Sequence, residues 1–369
     1  MDYFSEVLVI AQQLRRKIPG GIGTYTQGLL FGLSEIKTNS KIKISIFATQ
    51  GPKGQKDPLS RYGFNLKTVP LPAKVMTTLW NQRLVGPPRG YSLVHSTSLA
   101  FPVSRFSFRN SSKLAVTVYD LAWRKFPQGF TNRGIKWHEA ALQRAIKYCD
   151  ILIVPSSDTA DELMEQGVDS NRIEVIEAGC DHLVPPDHLQ TNQLLSDLGV
   201  VDKYILTVST LEPRKNLFRL IQAHQLALER KYYDYPLVVV GPQGWGEDLE
   251  ASKGVFRTGK VSSEVLSGLY SQALCMAYVP LFEGFGLPAV EAMSFGTPVV
   301  ASKIPSTKGA CFEVDPLDVD SIAKGLAQVC TNTALQTELI EAGFSRTSQL
   351  SWRKSAKQHL SIWQGLING

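Results

Sequence analysis

Residues 283–298 read Glu-Gly-Phe-Gly-Leu-Pro-Ala-Val-Glu-Ala-Met-Ser-Phe-Gly-Thr-Pro. An apolar run, Leu-Cys-Met-Ala-Tyr-Val at 274–279, precedes this stretch, and Val299-Val300-Ala301 follows it. Both runs have the length and apolarity of buried strands. The local order is therefore strand, glycine turn, short helix, strand. Pro288 suits the first helical turn and Gly296 the residue just past the helix end. Gly284 and Gly286 let backbone come close to a ligand, and a helix start presents N–H groups to an anion or a hydroxylated ring. Glu283 lies on the turn and Glu291 eight positions on, within the helix, so the two carboxylates can bracket one ligand. In outline this is a site for a polyol or a sugar. Taken singly, each part has a plainer reading: a tight connection, and an acid complementing a helix dipole.

The same alternation extends outward in both directions. Towards the N-terminus, strands are expected at 204–208 and 236–241, with helices at 216–231 and 263–271. A first set of elements precedes them, with strands at 7–11, 42–48, 93–95, 114–118, 151–154 and 173–176. Helices at 24–36, 133–148 and 159–166 sit between those strands. This is the rhythm of an α/β chain with doubly wound parallel sheets. The polar stretch 181–202, with its adjacent prolines at 185 and 186, reads as the connection between two domains. The expected division is 1–185 and 186–351. The tail carries Trp352, Ala356, Leu360 and Trp363 at helical spacing. Two doubly wound domains imply a cleft lined by the carboxyl ends of strands.

The length of 369 residues favours two domains over one. With 43% hydrophobic and 20% charged residues, the composition is that of an ordinary globular protein. No apolar stretch is long enough to span a bilayer, and the acidic start Met1-Asp2-Tyr3-Phe4-Ser5-Glu6 is unlike a secretory leader. The five scattered cysteines lack Cys-x-x-Cys spacing, which argues against a disulfide framework or a zinc site. A cytoplasmic location is expected, with no metal. The net charge of +6 is uneven: up to Pro185 there are 23 Lys and Arg against 15 Asp and Glu, and beyond it 16 against 18. The basic half either meets an anionic partner, such as an acidic acceptor or the cytoplasmic face of a membrane, or simply solvates its charges. Nucleic acid is not expected as a partner.

Four further motifs follow expected strands. Thr207 to Asn216 places Arg214 and Lys215 at a helix start, where cations are unfavourable beside the dipole unless an anion compensates them. A departing nucleoside diphosphate is such an anion, because a guanidinium fork and an ammonium stabilise its growing charge. Gly20-Gly21-Ile22-Gly23 follows the first strand through a long loop. It is not a dinucleotide fingerprint, since the third glycine is missing and the second strand ends without an acid for a ribose. That removes the reading as a nicotinamide-dependent dehydrogenase. Tyr119-Asp120-Leu121 ends a third strand, and Gly241-Pro242-Gln243-Gly244-Trp245-Gly246 a fourth.

Taken together, the sixteen-residue string, the Arg-Lys pair and the glycine segment closely resemble the retaining nucleotide-sugar glycosyltransferases of family 4. The resemblance runs over nearly the whole chain. It implies the GT-B architecture, two Rossmann-like domains facing across a cleft, with the C-terminal helix 352–369 crossing back to the first. It further implies a UDP- or GDP-sugar as co-substrate without a metal or other cofactor, and a glycan or lipid-linked acceptor on the N-terminal domain. Arg214 and Lys215 would hold the diphosphate. Glu283 with Gly284, Phe285, Gly286 and Leu287 would hold the hexose, and Glu291 the ribose. Gly20, Gly21 and Gly23 would form a loop near the donor phosphates, Gly241 would line the base or ribose side, and Asp120 would orient the acceptor or cap its own turn.

Two departures from the family pattern stand out. Where the family usually has His-Asp-Leu, with the His beside the transferred sugar of the donor, this chain has Tyr119, whose phenol can hydrogen-bond a sugar hydroxyl but does not take up a proton near neutral pH. The segment 306–313 is short and lacks the usual acidic Gly-Ala pattern. They motivate an alternative: a catalytically weakened relative acting as a nucleotide-binding or scaffold subunit.

Overall fold

The computed structural model describes residues 5–16, 19–36, 42–51, 56–105, 112–242 and 252–369. The chain divides into two compact units, Met1–Gly179 with Ser351–Gly369, and Cys180–Leu350. Among the described residues, no helix is long and apolar enough to cross a membrane.

The first unit runs β1 (Ser5–Ile10), α1 (Gly20–Glu35), β2 (Ile42–Thr49), β3 (Asn65–Val69), α2 (Ala73–Asn81), β4 (Leu93–Ser96), β5 (Lys113–Thr117), α3 (Ala122–Lys125), α4 (Asn132–Tyr148), β6 (Ile151–Val154), α5 (Ser157–Glu165) and β7 (Ile173–Val175). Among the described residues its strands form one parallel sheet in the order β3-β2-β1-β4-β5-β6-β7. The central strand β1 contributes Val7, Leu8, Val9 and Ile10, all essentially inaccessible, as a parallel strand covered on both faces must.

The second unit comprises α6 (His188–Asp197), β8 (Ile205–Val208), α7 (Leu217–Glu229), β9 (Leu237–Val240), β10 (Val255–Gly259), α8 (Ser263–Gln272), β11 (Cys275–Tyr278), α9 (Leu287–Ser294), β12 (Val299–Ala301), β13 (Phe312–Glu313), α10 (Val319–Thr331) and α11 (Thr333–Thr347). Its strands are again parallel, in the order β10-β9-β8-β11-β12-β13. Side-chain caps start many of the helices, including Thr131 for α4, Asp187 for α6, Ser262 for α8 and Asn332 for α11. Each satisfies a backbone N–H that the first turn would otherwise leave open.

The last helix, α12 (Trp352–Asn368), belongs to the first unit and packs on α1. Its buried face is Trp352, Ala356, His359, Leu360 and Trp363. The approach is close because α1 offers glycine: a Cβ at Gly28 would lie 2.0 Å from the Trp352 ring, and one at Gly32 would lie 2.1 Å from the Trp352 carbonyl oxygen.

Two local expectations differ from what is seen. The glycines at 20, 21 and 23 form the first turn of α1 rather than a loop before it. Their poor helix propensity, about 1 kcal/mol each, is outweighed by the buried face of α1, which includes Tyr25, Leu29, Leu30 and Leu33. The stretch 181–202 is not a bare connection either, since it contains α6, anchored through Thr191 against α8.

Candidate active site

In the second unit β8 has β9 on one side and β11 on the other, so successive connections leave it in opposite directions. This is the topological switch point of a doubly wound sheet, where a crevice opens at the carboxyl ends of the strands. The segments leaving β8 and β11 meet there. A single 3₁₀ turn, Pro213–Lys215, follows β8. It ends on Asn216, held in the left-handed region (φ 60°) by side-chain hydrogen bonds from Nδ2 to the carbonyls of Val279 (3.0 Å) and Pro316 (2.7 Å). Asn216 thereby clamps the Arg214–Lys215 turn to the end of β11.

Glu283, five residues beyond Tyr278 at the end of β11, sits between the two cations. Arg214 Nη1 donates to Glu283 Oε1 at 2.9 Å and to the Phe282 carbonyl at 2.8 Å, while Nη2 donates to Glu212 Oε1 at 2.7 Å. Lys215 Nζ donates to the same Glu283 oxygen and, at 2.9 Å, to the Tyr278 hydroxyl. The Tyr278 hydroxyl itself donates to Glu283 Oε1 at 3.1 Å. The side chains of Arg214, Lys215 and Glu283 are only 16%, 13% and 10% exposed. Burial on its own would raise the Glu283 pKa, but the Arg214 and Lys215 charges and the hydrogen bonds overcome it and hold the carboxyl down at about 2. Burial, followed by the Glu283 charge, pushes the Tyr278 phenol far up, so it stays a neutral donor. The result is an ionised acid and two cations fixed at the mouth of a parallel sheet.

The glycine turn next to it is braced from behind. Gly286 precedes α9 at φ 98°. A Cβ there would stand 2.8 Å from Ile304 Cδ1 and 3.1 Å from Ser306 Oγ, so both backbone conformation and space require glycine. Ser306 Oγ donates to the Gly286 carbonyl at 2.9 Å, and the Ser306 amide to the Phe285 carbonyl at 3.0 Å. Arg346 Nε closes the chain on the Ser306 carbonyl at 2.7 Å. The short 306–313 segment is thus the support of the glycine turn. Glu291, on α9 and 6% exposed, accepts a hydrogen bond from the Tyr270 hydroxyl at 2.8 Å and faces His182 Nε2 at 3.3 Å. It forms a second polar cluster in the same unit.

Two family models divide the chain between them. The model for "Glycosyltransferase Family 4" matches residues 19–182, and that for "Glycosyl transferases group 1" matches residues 197–346. The chain belongs to the family 4 glycosyltransferases. One relative, the O-antigen chain mannosyltransferase B of Escherichia coli, is 25% identical over 364 residues, covering 93% of this chain and 96% of that protein. The D-inositol 3-phosphate glycosyltransferase of Corynebacterium urealyticum is 30% identical over 251 residues, 61% of this chain and 58% of its own. Among solved structures, Anabaena HepE in complex with UDP and glucose superposes with a TM-score of 0.71 at 19% identity, covering 98% of this chain and 100% of that one. Sucrose-phosphate synthase from Thermosynechococcus elongatus reaches 0.73 at 17% identity, covering 99% of each chain. At these identities the two structures establish the GT-B fold.

The remaining site residues of this glycosyltransferase are placed as follows. Gly241, at the end of β9 (φ 146°), lies against the Ser209 carbonyl, which would collide with any Cβ there. The rest of its motif, from Gln243 on, lies outside the described residues. In the first unit the Tyr119 hydroxyl donates to the Thr97 carbonyl at 2.9 Å, and its ring meets Tyr25 edge to face at 5.1 Å. Its proton is therefore engaged by its own unit, and burial, followed by the nearby Tyr25, drives its pKa well up. Asp120 Oδ1 accepts from the Ala122 amide at 2.9 Å and so caps the turn into α3. Gly20, Gly21 and Gly23 open α1.

Several contributors escaped the reading of the sequence. Glu212 and Tyr278 flank recognised motifs, but nothing in their spacing marks them as partners of Arg214 and Lys215. Ser306 and His182 lie in segments that read as a shortened loop and a linker. Tyr270 sits on the buried face of α8, where an aromatic residue reads as core.

Proposed function

We propose that the chain is a retaining hexosyltransferase that needs no metal and takes its sugar from a UDP- or GDP-linked donor. The observation that carries this is Glu283, held ionised between Arg214 and Lys215 at the switch point of the second unit. The two cations would take the donor diphosphate and stabilise the charge it gains on leaving, the task a metal performs elsewhere. Freed from them, Glu283 would accept hydrogen bonds from hexose hydroxyls, with the backbone of Gly284, Phe285, Gly286 and Leu287 beside it. Glu291 would accept from the ribose. Mannose is the first candidate hexose, on the strength of the O-antigen mannosyltransferase relative and its near-complete coverage of both chains.

The reaction this supports is front-side transfer. The bond from the anomeric carbon to the donor phosphate oxygen breaks as the acceptor hydroxyl attacks the same face, and that phosphate oxygen takes the hydroxyl proton. No protein nucleophile is required. Arg214 and Lys215 favour the step because their attraction grows as the leaving charge develops. A glycan or lipid-linked acceptor would dock on the first unit, with Asp120 as its candidate contact.

The test is transfer of labelled hexose, with a thermal-shift screen of UDP-, GDP- and ADP-sugars to choose the donor. Lys215→Ala should lower kcat by about a hundredfold, as loss of one charge-stabilising donor does. Chelation of divalent metal should leave the rate unchanged, and the anomeric configuration should be kept. Unaltered transfer in both Lys215→Ala and Glu283→Gln would overturn the assignment. Tight nucleotide binding with no transfer to any glycan would favour the non-catalytic reading.

A further inference from the structure

The first unit carries a cavity of about 670 Å³ that none of the roles above uses. It lies at that unit's own switch point. Its walls include the turn leaving β1, with Gln12, Arg15 and Arg16, and the segment leaving β4, with Ser98. In the sheet β1 lies between β2 and β4, which is the arrangement that opens a ligand crevice. Helices α2 and α4 close the sides with Lys74 and with Arg133 and Trp137.

The charges on this wall are unbalanced. Arg15 is neutralised: Asp57 holds both terminal guanidinium nitrogens, and Nε donates to the Thr49 carbonyl at 2.9 Å. Together with Gln12, whose amide bridges both the Thr49 hydroxyl and the Thr49 amide, this fixes the floor of the cavity. No carboxylate lines the cavity, and among the described residues Arg16, Lys74 and Arg133 have no ion-pair partner. Arg16, Lys74 and Arg133 are exposed at the rim of the cavity. Three uncompensated cations exceed what one carboxylate neutralises. They match a phosphate or diphosphate, and two of them are guanidinium forks suited to phosphoryl oxygens. Trp137 adds an aromatic wall, and the volume is within the range that encloses a small ligand.

We infer that this cavity binds a phosphoryl group of the glycosyl acceptor, with Arg16, Lys74 and Arg133 on the phosphoryl oxygens and the attached sugar against Trp137. This rests on the transferase reading, in which the first unit receives the acceptor. The phosphoryl group could belong to a soluble sugar phosphate or to the diphosphate joining a glycan to a lipid, and the two present the same chemistry to the cavity.

Calorimetric titration of the full chain with inorganic pyrophosphate tests it. An Arg214→Ala/Lys215→Ala background removes the proposed donor grip, so what still binds there reports the second site. The expected result is retained binding in that background, weakened about 10- to 100-fold by adding Arg16→Ala and Arg133→Ala, as loss of charge-assisted hydrogen bonds predicts. If the wild type binds pyrophosphate but the background does not, the inference falls and the donor reading stands. If binding ignores Arg214 and Lys215 yet vanishes with Arg16 and Arg133, the inference stands and the donor reading falls. Mannose 1-phosphate and decyl diphosphate separate the sources: whichever exceeds pyrophosphate in affinity names the soluble or the lipid-linked acceptor. Neither exceeding it would overturn the assignment to an acceptor.

Discussion

The Lys215 ammonium donates to the same oxygen of Glu283 that accepts from Arg214, so a single carboxylate oxygen serves two cations and the Tyr278 phenol. The acid therefore stands where an anionic ligand would compete for the same cations. Glu283→Gln leaves Lys215 without a counter-charge and Arg214 with Glu212 alone, which should lower the melting temperature of the free protein. The same change removes the competitor, so a free nucleoside diphosphate should bind more tightly, by about tenfold, and restore the lost stability. Transfer should nevertheless fall, because the hexose loses its charged acceptor. Calorimetry and steady-state kinetics on one variant check all three, and weaker nucleotide binding would contradict the competition.

Tyr119 raises a different expectation. Its hydroxyl is spent on the Thr97 carbonyl, in a network where Thr26 Oγ1 donates to Thr97 Oγ1 at 2.9 Å and Thr97 Oγ1 to the Ile10 carbonyl at 3.0 Å. Tyr119→Phe removes one internal hydrogen bond, worth about 1 kcal/mol, or about 2–4 °C in melting temperature for a unit of this size. Transfer should stay within about twofold of wild type, since the hydroxyl proton is spent on the Thr97 carbonyl and not on a reacting group. A large rise in the donor KM with an unchanged melting temperature would place the hydroxyl on the sugar instead.

The cluster around Glu283 was more legible in the sequence than the polar residues of the first unit, for a physical reason. Glu283, Arg214, Lys215 and Gly286 are bound to short local patterns, a strand end followed by a turn, in which residue type and backbone conformation are set within a few positions. Ser306 and Tyr278 matter through contacts made across 20 and 63 residues, and the cations of the first-unit cavity come together from the turn after β1, α2 and α4, which no local period reports. The edge strand β3 and the two-residue β13 went unread because they bury little and so lack an apolar alternation. The glycines at 20–23 were misread as a loop because propensity speaks only for the isolated helix, and α1 is held by its packing on α12.

That packing makes Gly32 a sensitive position. A Cβ there would meet the Trp352 main-chain carbonyl at 2.1 Å, a group that cannot rotate away, so Gly32→Ala must push α12 off α1. The expected loss is about 1–3 kcal/mol, as for overpacking, despite the better helix propensity of alanine. Trp352→Ala should cost about 3–5 kcal/mol, because the ring is fully buried. Chemical denaturation with a probe in each unit should show both losses in the first unit. A more stable Gly32→Ala would mean the helices separate freely.

Acid should act on the same interface. His95 stacks on His359 at 5.4 Å, His95 Nε2 pairs with Thr117 Oγ1, and His359 meets the Tyr25 hydroxyl, the Ser355 carbonyl and the Trp363 ring. No carboxylate is among these partners. Burial lowers both imidazoles, His359 to about 4 and His95 well below its ordinary value, where the charge of its neighbour adds to the effect. Unfolded histidine takes up its proton near pH 6.5, so between that value and about 4 the unfolded chain binds more protons than the folded one. Stability is therefore complete above pH 6.5 and falls as the pH drops through this window, by up to about 1.4 kcal/mol per unit for each histidine. Glu283, held at about 2 when folded, adds its own loss of stability only as the pH nears and passes its ordinary value of 4.5, at the acid end of this window. Melting temperatures at pH 7.5, 6 and 5 should decline steadily, and His359→Gln should decline less steeply than wild type. A flat profile down to pH 5 would show that the pair is charged, or solvated, in the folded state.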